Sequence, residues 1–145
     1  MNDQKRLLFL SPIHRATRQI GLYLEERMDR LGLTNDEGHL LSFLLSYAPS
    51  PVGELARVFG VKGSTLTSRL DRLERRGLLT RRAHPEDRRS FLVEPTRAGR
   101  DLGRKVRREV EDLESGIGAH VAEGTLEGFE AVLEAIARAT DIQVR

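Results

Sequence analysis

Over residues 63–76 the only apolar side chains are Leu66, Leu70 and Leu73, spaced four and three residues apart. That spacing predicts a helix with one narrow buried stripe. The other faces carry Ser64, Thr65, Thr67, Ser68, Arg69, Arg72, Arg75 and Arg76. A helix so thinly anchored packs on one side and offers a donor-rich surface on the other. Gly77 closes it. Two β-prone runs, 78–83 and 90–94, flank the polar segment His84-Pro85-Glu86-Asp87-Arg88-Arg89, which predicts a hairpin with a basic tip.

The remaining periodicities are helical. Ser11-Pro12 reads as an N-cap followed by proline at the first helical position. Ile13, Thr17, Ile20, Leu24, Met28 and Leu31 follow as one face of a helix that ends at Gly32. Thr34-Asn35-Asp36-Glu37 has the form of a capping box and starts a second helix, with Leu40, Leu41, Leu44 and Leu45, that reaches about Tyr47. Pro49-Ser50-Pro51 interrupts the chain, and Val52, Leu55, Ala56 and Phe59 give a short third helix closed by Gly60. Beyond the hairpin, Pro95-Thr96 opens a long helix. Its Ala98, Leu102, Val106, Val110, Leu113, Ile117 and Val121 keep near-heptad spacing. A last helix follows Gly124-Thr125 and carries Leu126, Phe129, Val132, Leu133 and Ile136. The fold class is mainly α: about six helices and a small β-hairpin. It forms one unit over 1–145, with 34–95 as a winged helix-turn-helix and 1–31 and 96–145 as dimerisation helices.

Charge is unevenly distributed. Residues 62–108 hold 15 Lys/Arg against six Asp/Glu, a net +9, and the rest of the 145 residues hold 9 against 16, a net −7. A basic block beside an acidic remainder suits a polyanion. A charge run alone is as readily a solvated surface, so its placement decides. Here it covers two helices joined through Gly60-Val61 and the hairpin after them, the order of a helix-turn-helix and its wing. The major groove admits one helix, and short side chains let its backbone approach base edges while arginine forks take guanine. Ser64, Thr65, Ser68 and Arg69 are the candidate base readers. Lys62, Arg72, Arg75 and Arg76 suit phosphates, and Arg88 and Arg89 suit the minor groove, with Asp87 orienting an arginine. Lys62 stands at the start of the reader helix and lacks the acceptor a cap supplies.

Leu73-Glu74-Arg75-Arg76-Gly77-Leu78-Leu79, His84-Pro85-Glu86-Asp87-Arg88-Arg89 and Thr96-Arg97-Ala98-Gly99 together resemble the MarR family of bacterial regulators. Leu33-Thr34 and Val52-Gly53-Glu54-Leu55-Ala56 add to the resemblance, which runs over almost the whole chain. It implies an obligate dimer formed by the terminal helices, a pseudo-palindromic operator, and frequent release by a small aromatic acid. It also implies a carboxylate beside the reader helix that braces a wing arginine, roles that Asp71 and Arg89 match. The chain departs from the family pattern at Lys62, where a hydroxyl cap is usual, at His84, which replaces an acidic residue, and at Pro95, which replaces an apolar one.

A dimer also follows from the apolar surface of the terminal helices, which exceeds what a small reader domain covers. Leu102, Val110, Leu113 and Val132 are expected at or near that interface. An effector pocket is expected where His14, Arg15 and Arg18 on the first helix meet His39 and Phe43 on the second. Ordinary polar contacts between the helices are the plainer alternative.

Several functions are excluded or disfavoured. Without cysteine there is no disulfide, thiolate metal site or cysteine redox switch. The four histidines show no HxxxH or HExxH spacing, so no metal is expected. Nothing resembles a nucleophile elbow, a Walker loop or paired carboxylates, so neither catalytic residues nor a cofactor are expected. No run is long enough to span a membrane, and a cytoplasmic location is expected. The resulting expectation is a sequence-specific transcription regulator, most simply a repressor, on double-stranded DNA. The alternative is a sequence-nonspecific architectural or RNA-binding winged-helix protein. RNA binding favours exposed aromatics, and only 5% of the chain is aromatic.

Overall fold

A computed structural model describes residues 7–141. Their element order is α1 (Leu10–Arg30), α2 (Asn35–Tyr47), β1 (Ser50–Pro51), α3 (Val52–Val58), α4 (Gly63–Arg75), β2 (Leu79–Ala83), β3 (Phe91–Pro95), α5 (Arg97–Gly118) and α6 (Thr125–Thr140). The expected helices and hairpin are present. The two-residue β1 is an addition: it pairs antiparallel with β3, Ser50 opposite Val93, and completes a sheet of order β1-β3-β2.

Local chemistry sets most boundaries. The Thr34 hydroxyl accepts from Glu37 N at 3.2 Å and the Glu37 carboxylate accepts from Thr34 N at 3.0 Å. Both halves of the capping box are therefore formed. Thr96 caps α5 through Gly99 N and also donates to Gly77 O at 2.6 Å, tying the end of the hairpin to the end of α4. The expected Ser11 cap is not used. α1 begins at Leu10 with Phe9 as N-cap and no side-chain cap hydrogen bond, so Ser11 and Pro12 lie inside its first turn.

The core lies under the reader unit. Leu40, Leu41 and Leu44 of α2, Leu55 of α3, Leu66, Leu70 and Leu73 of α4, Leu79 of β2 and Val93 of β3 are essentially inaccessible. Burial of each such side chain contributes roughly 1.5–3 kcal/mol. Met28 near the end of α1 and Val106 of α5 enter the same cluster, with Leu102 packed against it. The reader unit thus recruits the end of α1 and the first half of α5. Leu102, expected near an interface between subunits, is occupied within its own chain. The other three expected interface residues, Val110, Leu113 and Val132, are half-buried.

The close seat of α5 depends on a residue without a side chain. A Cβ on Gly99 would stand 1.8 Å from the Leu78 carbonyl oxygen, far inside contact distance, so only glycine fits there. The far end of the molecule is different. α6 has no buried residue, and Ile117, Val121, Leu126, Phe129 and Leu133 are exposed across the α5–α6 turn.

Candidate nucleic-acid interface

α4 turns its leucine stripe inward and its hydroxyls outward. Ser64, Thr65, Thr67, Ser68, Arg72, Arg75 and Arg76 are exposed. At 100° per residue, Ser64, Ser68 and Arg75 fall opposite the stripe. The Ser68 hydroxyl donates to Ser64 O at 3.1 Å, and Arg75 Nε donates to Asp71 O at 3.3 Å. Lys62 occupies the N-cap without a side-chain hydrogen bond, as its chemistry requires. The helix start is formed all the same, because the Lys62 carbonyl accepts from Leu66 N at 3.1 Å.

One flank of α4 is clamped to the start of α2. Arg69 reaches Asp36 at 2.6 Å, and its side chain is only 16% exposed. Arg72 Nε donates to Glu37 at 3.0 Å, and Arg76 lies 3.8 Å from the same carboxylate. Glu37 is buried. Burial alone would raise its pKa, but the Thr34 amide and the guanidinium groups of Arg72 and Arg76 outweigh burial and hold it below the ordinary carboxylate range. Arg69, expected to read bases, is directed to the flank because it stands one position before Leu70 and close to the buried stripe.

The other flank is clamped to the wing. Arg81 Nη2 donates to Asp71 at 2.6 Å and to Glu74 at 2.5 Å, with Nε to Glu74 at 3.0 Å. Its hydrogen bonds to Glu74, then to Asp71, raise the Arg81 pKa further above its already high ordinary value. Asp71 therefore braces the wing through Arg81, and the expected pairing with Arg89 is not made. Strand geometry explains this: Arg81 shares the face of buried Leu79 and points at α4, whereas Arg89 lies in the loop beyond β2. Sequence reasoning missed Arg81, although an acidic pair at i and i+3 in an otherwise basic helix was a usable signal.

The wing tip is shaped by its own side chains. His84 Nδ1 accepts from Glu86 N and Asp87 N at 3.1 and 3.2 Å, the acceptor role open to an acidic residue at that position. Asp87 Oδ1 accepts from Arg89 N at 3.0 Å, so it orders the loop backbone. Arg82 pairs with Glu94 at 3.0 Å. Arg88 and Arg89 are exposed and have no side-chain partner among the described residues.

A short antiparallel sheet behind a two-helix reader, with the third helix of its core supplied by α2, is the winged helix-turn-helix. The family model described as MarR family matches residues 33–91, from the α2 cap into β3. Over that segment the chain is similar to the MarR family. The organic hydroperoxide resistance transcriptional regulator of Bacillus subtilis (strain 168) is 29% identical over 105 residues, covering 72% of this chain and 70% of that protein. The uncharacterized HTH-type transcriptional regulator YcgE of the same organism is 28% identical over 125 residues, covering 83% and 77%. Both names describe regulators of transcription rather than enzymes. The S. aureus MepR-DNA complex superposes with a TM-score of 0.84 at 18% identity, covering 92% of this chain and 99% of that one. A mutant MarR from E. coli complexed with operator DNA gives 0.76 at 25%, covering 87% and 91%.

The expected effector residues divide into two sets. His39 and Phe43 line an open cavity of about 490 Å³ with Ser42, Tyr47, Phe59 and Arg107. Phe43 stacks on Tyr47 at 4.4 Å and meets Phe59 edge-on at 5.5 Å. A second cavity, of about 310 Å³, lies where α1, α2 and α5 meet, and His39 belongs to its wall as well. His14, Arg15 and Arg18 are exposed on α1 and line neither cavity. Among the described residues, no group of three or more His, Asp or Glu side chains is placed to hold a metal ion, and no helix is long and apolar enough to cross a membrane.

Proposed function

We propose that the chain is a cytoplasmic, homodimeric regulator, most simply a repressor, that binds a pseudo-palindromic site in double-stranded DNA and is released by a small molecule. The observation that carries this reading is the outer face of α4: small hydroxyls and Arg75 are exposed between two clamped flanks, with Arg88 and Arg89, whose side chains have no partner among the described residues, on the adjacent wing. Ser64, Thr65, Ser68 and Arg75 read base edges. Lys62, Arg72 and Arg76 contact phosphates, and Arg88 and Arg89 enter the minor groove. Arg69 holds the helix in place through Asp36.

The dimer reading is supported by α6. A 16-residue helix with no fully buried residue is marginal in water, and its exposed apolar side chains need a covering surface. A second copy related by a two-fold axis supplies one and presents two reader helices to half-sites about one DNA turn apart. The effector reading is supported by the cavity between α1, α2 and α5, which joins the terminal helices to the reader unit. The experiment is selection from a random duplex pool, followed by affinity measurements at two salt concentrations. A two-fold symmetric site, preferred by about 10³–10⁷ over random duplex and weakened steeply by salt, is the expected result. Sequence-blind binding would make the protein architectural, and no duplex binding would overturn the reading.

A further inference from the structure

The cavity between α1, α2 and α5 has an apolar wall of Ile20, Leu24, Val106 and Val110, and its one residue with a fixed charge is Asp36. Asn35 is part of the same wall. Its Nδ2 donates to Gly21 O at 2.9 Å. A carbonyl can only accept, so the amide orientation is fixed and Oδ1 is the atom left over. That oxygen is shut from solvent without a hydrogen-bond partner. The cavity therefore combines an apolar body with one carboxylate, and it has no arginine or lysine in its wall. An aromatic acid would bring a carboxylate towards Asp36, the wrong charge for this wall.

Asp36 also faces the other way. Its carboxylate holds Arg69 of the reader helix at 2.6 Å, and its side chain is 58% exposed, open enough for an exchange of partners. We infer that this cavity takes an apolar molecule bearing a protonated amine, and that the ammonium competes with Arg69 for Asp36, so that occupancy loosens the clamp on α4. The inference rests on the proposed effector reading and names its ligand class and its route to the reader helix. Ligand and clamp are antagonists at one carboxylate, and the effect runs equally in both directions: whatever frees Asp36 from Arg69 must strengthen ligand binding.

The test compares three probes of one shape, 4-phenylbutylamine, 4-phenylbutan-1-ol and 4-phenylbutyrate, by isothermal titration with the full chain. The amine is expected to bind about tenfold more tightly than the carboxylate, since a part-exposed carboxylate attracts one and repels the other. Asp36→Asn is expected to abolish that ratio. Arg69→Gln, with folding checked by circular dichroism, is expected to raise amine affinity about threefold. Equal or stronger binding of the carboxylate, or no binding of the amine, would overturn the ligand class. An Arg69→Gln protein with unchanged amine affinity would overturn the competition. These titrations contain no DNA, so a chain that binds the amine and no duplex would leave this inference standing while removing the regulator reading.

Discussion

Replacing Glu37 by glutamine separates charge from shape at the junction of α2 and α4. The side chain is 4% exposed, and glutamine keeps its volume and an oxygen able to accept from Thr34 N. What is lost is the bond that Oε1 accepts from Arg72 Nε at 3.0 Å and the charge attraction to Arg76, 3.8 Å from Oε2. Hydrogen bonds to charged groups contribute about 1 kcal/mol more than neutral ones. Arg72 is half in water, which reduces the loss, while the new amide N–H₂ facing the Arg72 guanidinium adds a cost. The sum is about 1–2 kcal/mol, or about 2–4 °C in Tm for each kcal/mol in a chain of this size. Urea unfolding at pH 7 measures it. The pH dependence has a fixed sign. Because the folded-state pKa lies below the unfolded value of 4.5, the stabilisation is complete above that value and is lost as pH falls through the folded pKa. Wild type and Glu37→Gln should therefore differ most near neutrality and converge in strong acid. Equal stability at pH 7, or a difference that does not change with pH, would refute the clamp.

Gly99→Ala forces a methyl group into the Leu78 carbonyl and should cost about 3 kcal/mol or more; a thermal melt within 1 °C of wild type, against the roughly 6 °C or more expected, would contradict it. Arg81→Ala frees the wing from α4 and should weaken all duplexes alike, about fivefold, while hydrogen exchange in β2 and β3 accelerates. Arg75→Ala should relax preference at one base pair by about 1–3 kcal/mol, whereas Arg69→Ala lowers affinity without changing sequence preference, as selection with each variant would show. Phe129→Glu places a charge on the uncovered face of α6 and should shift sedimentation towards monomer with a loss of helical signal.

The helices and hairpin were legible because their signals are local. The Thr34 capping box, the Leu66/Leu70/Leu73 stripe and the glycine closing α4 each act within about one or two turns. β1 was not legible: Ser50-Pro51 has no strand pattern and becomes one only because β3 offers an edge. At the candidate site, the outward placement of Ser64, Ser68 and Arg75 was readable from position on the helix, since facing away from a leucine stripe is a matter of angle, although Arg75 was there assigned to phosphates by residue type. Arg69 and Arg89 were assigned by residue type and order, whereas their partners depend on which chain segment passes nearby. That Asp36 lies beside Arg69, and Arg81 beside Asp71 and Glu74, is a consequence of tertiary packing that no window of sequence contains.

The missing side chain at Gly99 governs more than local fit. With the Leu78 carbonyl against the helix backbone there, and the Leu41 carbonyl 3.1 Å from where a Gly103 Cβ would stand, α5 is seated on the reader unit at two places one turn apart. Its 22 residues extend roughly 33 Å, so arm and head turn as one lever. A tilt of about 5° at the head sweeps the far end through roughly 3 Å over that length. A rigid helix of that length couples a displacement of a few ångströms among the exposed apolar side chains at one end to a change of pitch at the surface that carries Ser64 and Ser68.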